Sequence, residues 1–176
     1  MASVQIPWKL RLIYAACKWI VNLSHRPDDT INRCLQSLTD PKTSPSKTPR
    51  NGVVSFDTVI NSSQDLWFRC FTLTTTTTAA VHGEDDSRSL PIIMCIHGGG
   101  FALYSASSTA YDSWCRRLSS ELIAVIVSVN YRLAPEHRCP TQYEDCFDTL
   151  KFLDKNLDKL PDTIHFAALL QVEIVD

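Results

Sequence analysis

IMCIHGGGFALYS, residues 93–105, decides how the chain is read. Three of its five glycines stand in a row here, after an apolar run and a histidine. Glycines after a buried strand let the main chain approach a ligand and aim N–H groups at it. One use is a phosphate cradle, but no G-K-S/T follows, and G-x-G-x-x-G fails at Phe101 and Leu103. Another is an oxyanion hole, whose N–H donors meet the negative oxygen that develops when an ester carbonyl is attacked. A plain glycine-rich turn at a strand end is the third reading, and the three glycines alone do not choose between the last two.

The surroundings are α/β. LPIIMCI (Leu90–Ile96) is a continuous apolar run, as in a strand buried on both faces. Thr109–Leu122 carries Tyr111, Trp114, Cys115, Leu118 and Leu122 at helical spacing, with Arg116, Arg117 and Glu121 for a wet face. AVIVSVN (Ala124–Asn130) is a second buried strand, YRLAPEHRCPTQ a loop fixed by Pro135 and Pro140, and Tyr143–Asn156 an amphipathic helix with Phe147, Leu150, Phe152 and Leu153 apolar. Strand–helix–strand–helix with buried strands predicts a parallel sheet covered by helices. Upstream, Val53–Ile60 and Leu66–Leu73 are β-branched and aromatic runs joined by turn residues NSSQD, which predicts an antiparallel hairpin. TTTTTAAVHGEDDSRS (residues 74–89) reads as a polar surface loop.

Before Gly52 the chain is different. IPWKLRLIYAACKWIVNLS places Ile6, Leu10, Ile13, Tyr14, Cys17, Ile20 and Val21 on one helical face, with Pro7 suited to the first turn. Lys9, Arg11 and Lys18 interrupt it, short of the roughly 20 apolar residues of a membrane span. A lid-type helix is the expectation; the lack of any acid before Asp28 also fits a transit peptide. A Pro-punctuated loop follows, with one short helix around Thr30–Leu38. The domain reading is 1–50 lid and loop, 51–176 the α/β part.

A net charge of −2 gives no electrostatic case for nucleic acid or an anionic membrane. The seven cysteines show no CxxC spacing, so they define no metal site, and with no signal-peptide pattern they fit a reducing, cytoplasmic compartment.

IHGGGF followed by NYRLAPEHRCPTQYEDC resembles the α/β-hydrolase carboxylesterases related to hormone-sensitive lipase. RPDDTINR and DLWFR resemble the plant branch, which holds carboxylesterases and gibberellin receptors. The resemblance runs from about Ile6 to about Leu160. It implies the N-terminal half of an α/β-hydrolase fold, no cofactor, and a small-molecule ester substrate or hydrophobic ligand. It makes the Gly99 and Gly100 N–H groups the oxyanion donors. His97, Gly98 and Phe101 become structural members of the loop, and Tyr131, Arg132, Pro135 and Glu136 follow the fourth strand and support the site. The receptors typically carry HGGS, whereas this chain has Gly100.

The resemblance stops at the nucleophile. A G-x-S-x-G elbow needs glycines, and none lies beyond residue 100. Ser105, Ser107, Ser108, His165 and Asp176 have no spacing that favours a substitute triad. The expectation is a truncated product that is inactive or very weak alone, with FAALLQVEIVD available to pair against the edge of strand Leu90–Ile96.

Overall fold

The computed structural model describes residues 7–74, 90–156 and 169–173. The chain divides into two units, Met1–Pro41 and Lys42–Asp176.

The first unit holds α1 (Trp8–Ser24) and α2 (Arg33–Ser37). Pro7 precedes α1, and its carbonyl accepts the Leu10 and Arg11 N–H groups. Asn32 caps α2 by accepting the Leu35 N–H at 3.2 Å. In the turn between the helices, Asp28 accepts both the hydroxyl and the N–H of Thr30. These bonds, the hydroxyl's first, hold its carboxyl below the usual range. Trp8, Tyr14 and Trp19 are exposed. The expected apolar face also rests on Ile6 and on the side chains of Ile13, Cys17 and Ile20, which lie outside what is described. No helix among the described residues is long and apolar enough to cross a membrane.

The second unit is a five-stranded mixed sheet in the order β1-β2-β4-β3-β5. Its strands are β1 (Val53–Asn61), β2 (Leu66–Leu73), β3 (Ile92–Ile96), β4 (Val125–Asn130) and β5 (Leu169–Glu173). The expected hairpin is present: β1 and β2 pair antiparallel, with a bulge between Val59 and Asn61. Its turn is a 3-10 segment, Ser62–Gln64, opened by Asn61 accepting the Ser63 N–H. β2 then pairs antiparallel with β4, and β3 runs parallel to β4. At its other edge β3 pairs in parallel with the backbone of β5, so the tail segment does cover it. The polar loop over residues 75–89 lies outside the described residues.

Alternation along the strands sorts the core into two layers. Phe71, Ile93, Cys95 and Ile126 face α3 (Thr109–Leu122) through Trp114, Cys115 and Leu118. Phe68, Ile92, Val125 and Val127 face α4 (Thr141–Lys155) through Phe152 and Leu153. Every residue of β3 is buried, as an apolar run without alternation requires when both faces carry helices.

The wet face assigned to α3 needs one correction. Arg117 and Glu121 are exposed and paired at 2.8 Å, but Arg116 is buried. Its guanidinium bonds Asp112 Oδ2 at 2.8 Å, the Val53 carbonyl at 3.0 Å and the Ser55 hydroxyl. Asp112 in turn accepts Arg69 Nη1 at 3.2 Å, and Arg69 grips Asp57 through Nε and Nη2 at 2.6 and 2.9 Å. Burial of Arg69 works against its charge, but the bond and charge of Asp57 outweigh it and hold the guanidinium more firmly protonated than usual. Buried charge is tolerable only when paired and hydrogen-bonded, and here four groups pair one another.

Candidate functional site

β3 and β4 are parallel neighbours in a register that sets Ile96 beside Val129, so their carboxyl ends finish together. Beyond those ends the chain supplies His97 from one strand and Tyr131 from the other. α3 and α4 cover opposite faces of the sheet. The carboxyl end of a strand where successive helices change faces is where open α/β sheets form their ligand crevice.

His97 is buried, and its ring stacks on Tyr131 with centroids 4.2 Å apart and planes 12° apart. The Tyr131 hydroxyl donates to the His97 carbonyl at 2.7 Å. His97 Nδ1 lies 3.0 Å from the Gly98 carbonyl and 3.2 Å from the Tyr131 oxygen. With the phenol proton already committed, both neighbours of Nδ1 act as acceptors, which assigns the ring proton to Nδ1. The imidazole is thus bound into the loop.

The three glycine amides have different fates. Gly98 N–H donates to the Tyr111 hydroxyl of α3 at 2.9 Å. Gly99 and Gly100 N–H donate to no acceptor among the described residues. Gly99 has φ +109°, and a Cβ there would stand 2.7 Å from both the Leu103 carbonyl oxygen and Tyr104 Cδ2. Its own carbonyl accepts Ala102 and Leu103 N–H at 3.1 and 3.0 Å, which tightens the turn. Gly100 has φ +59° and is exposed, and a Cβ there would meet nothing within 4 Å. Phe101 follows with φ +60°, and its carbonyl accepts Ala134 N–H at 2.8 Å.

Arg132 and Asp145 lock the loop after β4 to α4. Arg132 Nη2 and Nε reach Asp145 Oδ1 and Oδ2 at 2.7 and 3.0 Å, and the Arg132 N–H adds a third bond at 2.9 Å. The bond to Asp145 holds the guanidinium more firmly protonated than usual, against the partial burial that opposes its charge. Pro135 is half-buried and Glu136 exposed in the stretch that bonds Phe101 through Ala134.

The serines after the loop are occupied locally. Ser105 Oγ receives Lys42 Nζ at 2.7 Å and lies 2.8 Å from Ser107 Oγ, while Ser108 Oγ accepts Ser105 N–H at 2.9 Å. His165 and Asp176 lie outside the described residues. Among the described residues no group of three His, Cys, Asp or Glu side chains could hold a metal. The sequence placed Tyr111 on an apolar helix face and gave no role to Asp145 or Gln142. The signal was their polar tips, since a phenol, carboxylate or amide in a buried position needs a partner.

Residues 93–168 match a family model described as the alpha/beta hydrolase fold. A gibberellin receptor of Arabidopsis thaliana is 37% identical over 155 residues, covering 86% of this chain and 45% of the receptor. Carboxylesterase 20 of the same plant is 33% identical over 139 residues, covering 79% of this chain and 42% of the relative. A hyperthermophilic esterase from the archaeon Pyrobaculum calidifontis superposes with a TM-score of 0.58 at 25% identity, over 94% of this chain and 49% of the esterase. The chain spans less than half the length of these relatives.

Proposed function

Because the chain belongs to the α/β-hydrolase-fold family, alongside plant carboxylesterases and gibberellin receptors, we propose that residues 97–101 are the oxyanion-binding half of an ester-hydrolysing site. One observation carries this reading. Tyr111 takes the Gly98 amide, which leaves two adjacent amides, Gly99 and Gly100, with no acceptor among the described residues at the carboxyl end of β3.

In acyl transfer a nucleophile adds to the ester carbonyl, and its oxygen gains a full negative charge. Two fixed amides favour that state over the neutral ester, because a charge-assisted hydrogen bond is roughly twice as strong as a neutral one. Each such donor is worth about 10²–10³ in rate where a complete site exists. Phe101 forms part of the apolar wall for the acyl group. The 176 residues contain no G-x-S-x-G, so they offer the charge-stabilising half without the serine elbow. The chain on its own is then inactive or very weak.

Two measurements test this. Titration with methylphosphonate, a tetrahedral oxyanion, moves the Gly99 and Gly100 amide resonances and leaves Gly98 in place; movement of Gly98 alone refutes the assignment. Purified chain hydrolyses p-nitrophenyl acetate far more slowly than a serine esterase; turnover at an ordinary esterase rate refutes the missing-nucleophile argument.

The 37% identity to a gibberellin receptor supports a second reading, binding of a small hydrophobic acid without hydrolysis. Calorimetry with gibberellin separates the two: saturable heat at micromolar hormone favours the receptor-like reading. Gly100 is the position to exchange, since a serine Cβ there would meet no neighbour.

A further inference from the structure

A cavity of about 210 Å³ lies beside the loop, between the end of β3 and one flank of α4. Its walls include Met94 and Ile96 from β3, Phe101, and Gln142, Phe147 and Leu150 from α4. It uses neither the Gly99 nor the Gly100 amide and shares only Phe101 with the proposed ester site. Three observations give it a chemistry.

The first is size and lining. An apolar cavity of about 150 Å³ stays dry and takes up a benzene-sized molecule, so this one exceeds a single aromatic ring. The second is the aromatic wall. Phe147 is 57% exposed although it stands on a core helix. The Phe101 ring is set by a left-handed backbone that the Ala134 N–H holds, 5.5 Å from the ring of Tyr143, itself a lining residue.

The third is Gln142, which is only 2% exposed. Its Nε2 donates to the Arg132 carbonyl at 3.0 Å and the His137 carbonyl at 2.6 Å. Both amide protons are therefore committed, and the orientation of the amide is fixed by its partners. Oε1 is left as an acceptor that receives no hydrogen bond among the described residues. An amide oxygen in such a place favours a ligand that brings a donor.

We infer that this cavity binds a small aromatic alcohol of the phenol or benzyl alcohol class, with its ring among Phe101, Phe147 and Leu150 and its hydroxyl donating to Gln142 Oε1. An aromatic carboxylate is disfavoured, because it would set an anionic acceptor against an acceptor.

The test is fluorine NMR on the full chain with 4-fluorophenol and 4-fluoroanisole, which have nearly the same shape but differ in the hydroxyl proton. The expected result is saturable one-to-one binding of 4-fluorophenol, about five- to tenfold tighter than 4-fluoroanisole, the ratio of one hydrogen bond. The change F147A removes an exposed wall without touching the buried core and should weaken both probes alike. The change Q142L should erase the preference between them, provided circular dichroism shows the chain still folded; the paired ligands ask the same question without it. Equal affinity for the two probes overturns the Gln142 assignment. Absence of saturable binding overturns the site. Probe release at rising protein concentration, with a dimer in sedimentation, would give the cavity to a second copy and overturn the ligand reading. None of these results depends on whether methylphosphonate moves the Gly99 amide.

Discussion

The pair Gly99→Ala and Gly100→Ala asks whether the glycine loop is built to a shape or is merely loose. At Gly100 the added methyl meets nothing within 4 Å, so the cost is only that of a left-handed backbone near φ +59°. For an L residue that is about 1–2 kcal/mol. At Gly99 the φ of +109° lies outside the left-handed well, where strain runs to about 1–3 kcal/mol. The methyl would also stand 2.7 Å from a backbone oxygen and 2.7 Å from a ring carbon. Relieving that overlap costs roughly 1–3 kcal/mol more, and the carbonyl cannot swing aside as a flexible side chain would. Gly99→Ala should therefore destabilise by about 2–6 kcal/mol against about 1–2 for Gly100→Ala. In a domain of this size each kcal/mol lowers Tm by roughly 3–5 °C. Urea unfolding at constant m, with thermal melts as a check, measures both. Equal losses from the two variants, or a larger loss at Gly100, would refute the steric argument for Gly99.

Three further outcomes follow. Asp112→Ala leaves Arg69 and Arg116 buried without their shared carboxylate and should cost about 3–5 kcal/mol in urea unfolding, whereas Arg117→Ala, which breaks an exposed pair, should cost under about 0.5. Tyr111→Phe removes the acceptor of the Gly98 N–H and should cost about 1 kcal/mol while speeding hydrogen exchange at that amide; unchanged exchange would deny Tyr111 its anchoring role. Burial pushes the Cys70 thiol up to about 12 from an ordinary 9.0. The folded chain then holds a proton that the unfolded chain has lost, so this contribution is full below pH 9, falls by at most about 1.4 kcal/mol per pH unit above it and is gone beyond about 12. Cys70→Ala should flatten the alkaline limb of the stability profile; an unchanged limb would mean the thiol is not the group titrating.

The central strands could be read from period alone because their buried positions are apolar. Leu66–Leu73 and Leu90–Ile96 carry the pattern in their own residues. The buried face of α3 does not, since it is Asp112, Cys115, Arg116 and Ser119. A charged residue at helical spacing is ordinarily solvent-facing, and the partners that reverse this for Arg116 lie on β1, 61 and 63 residues away for Ser55 and Val53. No local window contains such a network. The glycine loop was legible for the opposite reason. Its residues are unusual and adjacent, and what they exclude, a side chain at Gly99, is a property of the loop itself. The division of labour among the three amides was hidden, because it depends on where one phenol oxygen of α3 comes to rest.

That division also bears on what the loop is for. A strand can be joined to a helix without placing Phe101 and Tyr104 at φ +60° and +69°, a conformation that costs a non-glycine residue about 1–3 kcal/mol. The loop holds both, and three anchors offset the cost: Tyr111 on Gly98, Tyr131 on the His97 carbonyl, and Ala134 on the Phe101 carbonyl. At about 1 kcal/mol each, these bonds are of the same size as the strain they oppose. All three lie between residues 97 and 134, so the local architecture sets the loop before any ligand arrives. Donors held this way need no reorganisation when charge appears in front of them, which is the condition under which an amide stabilises an oxyanion better than water does. The strain is consistent with the proposed oxyanion role, in which Gly99 and Gly100, whose amides meet no acceptor among the described residues, are the donors held in place.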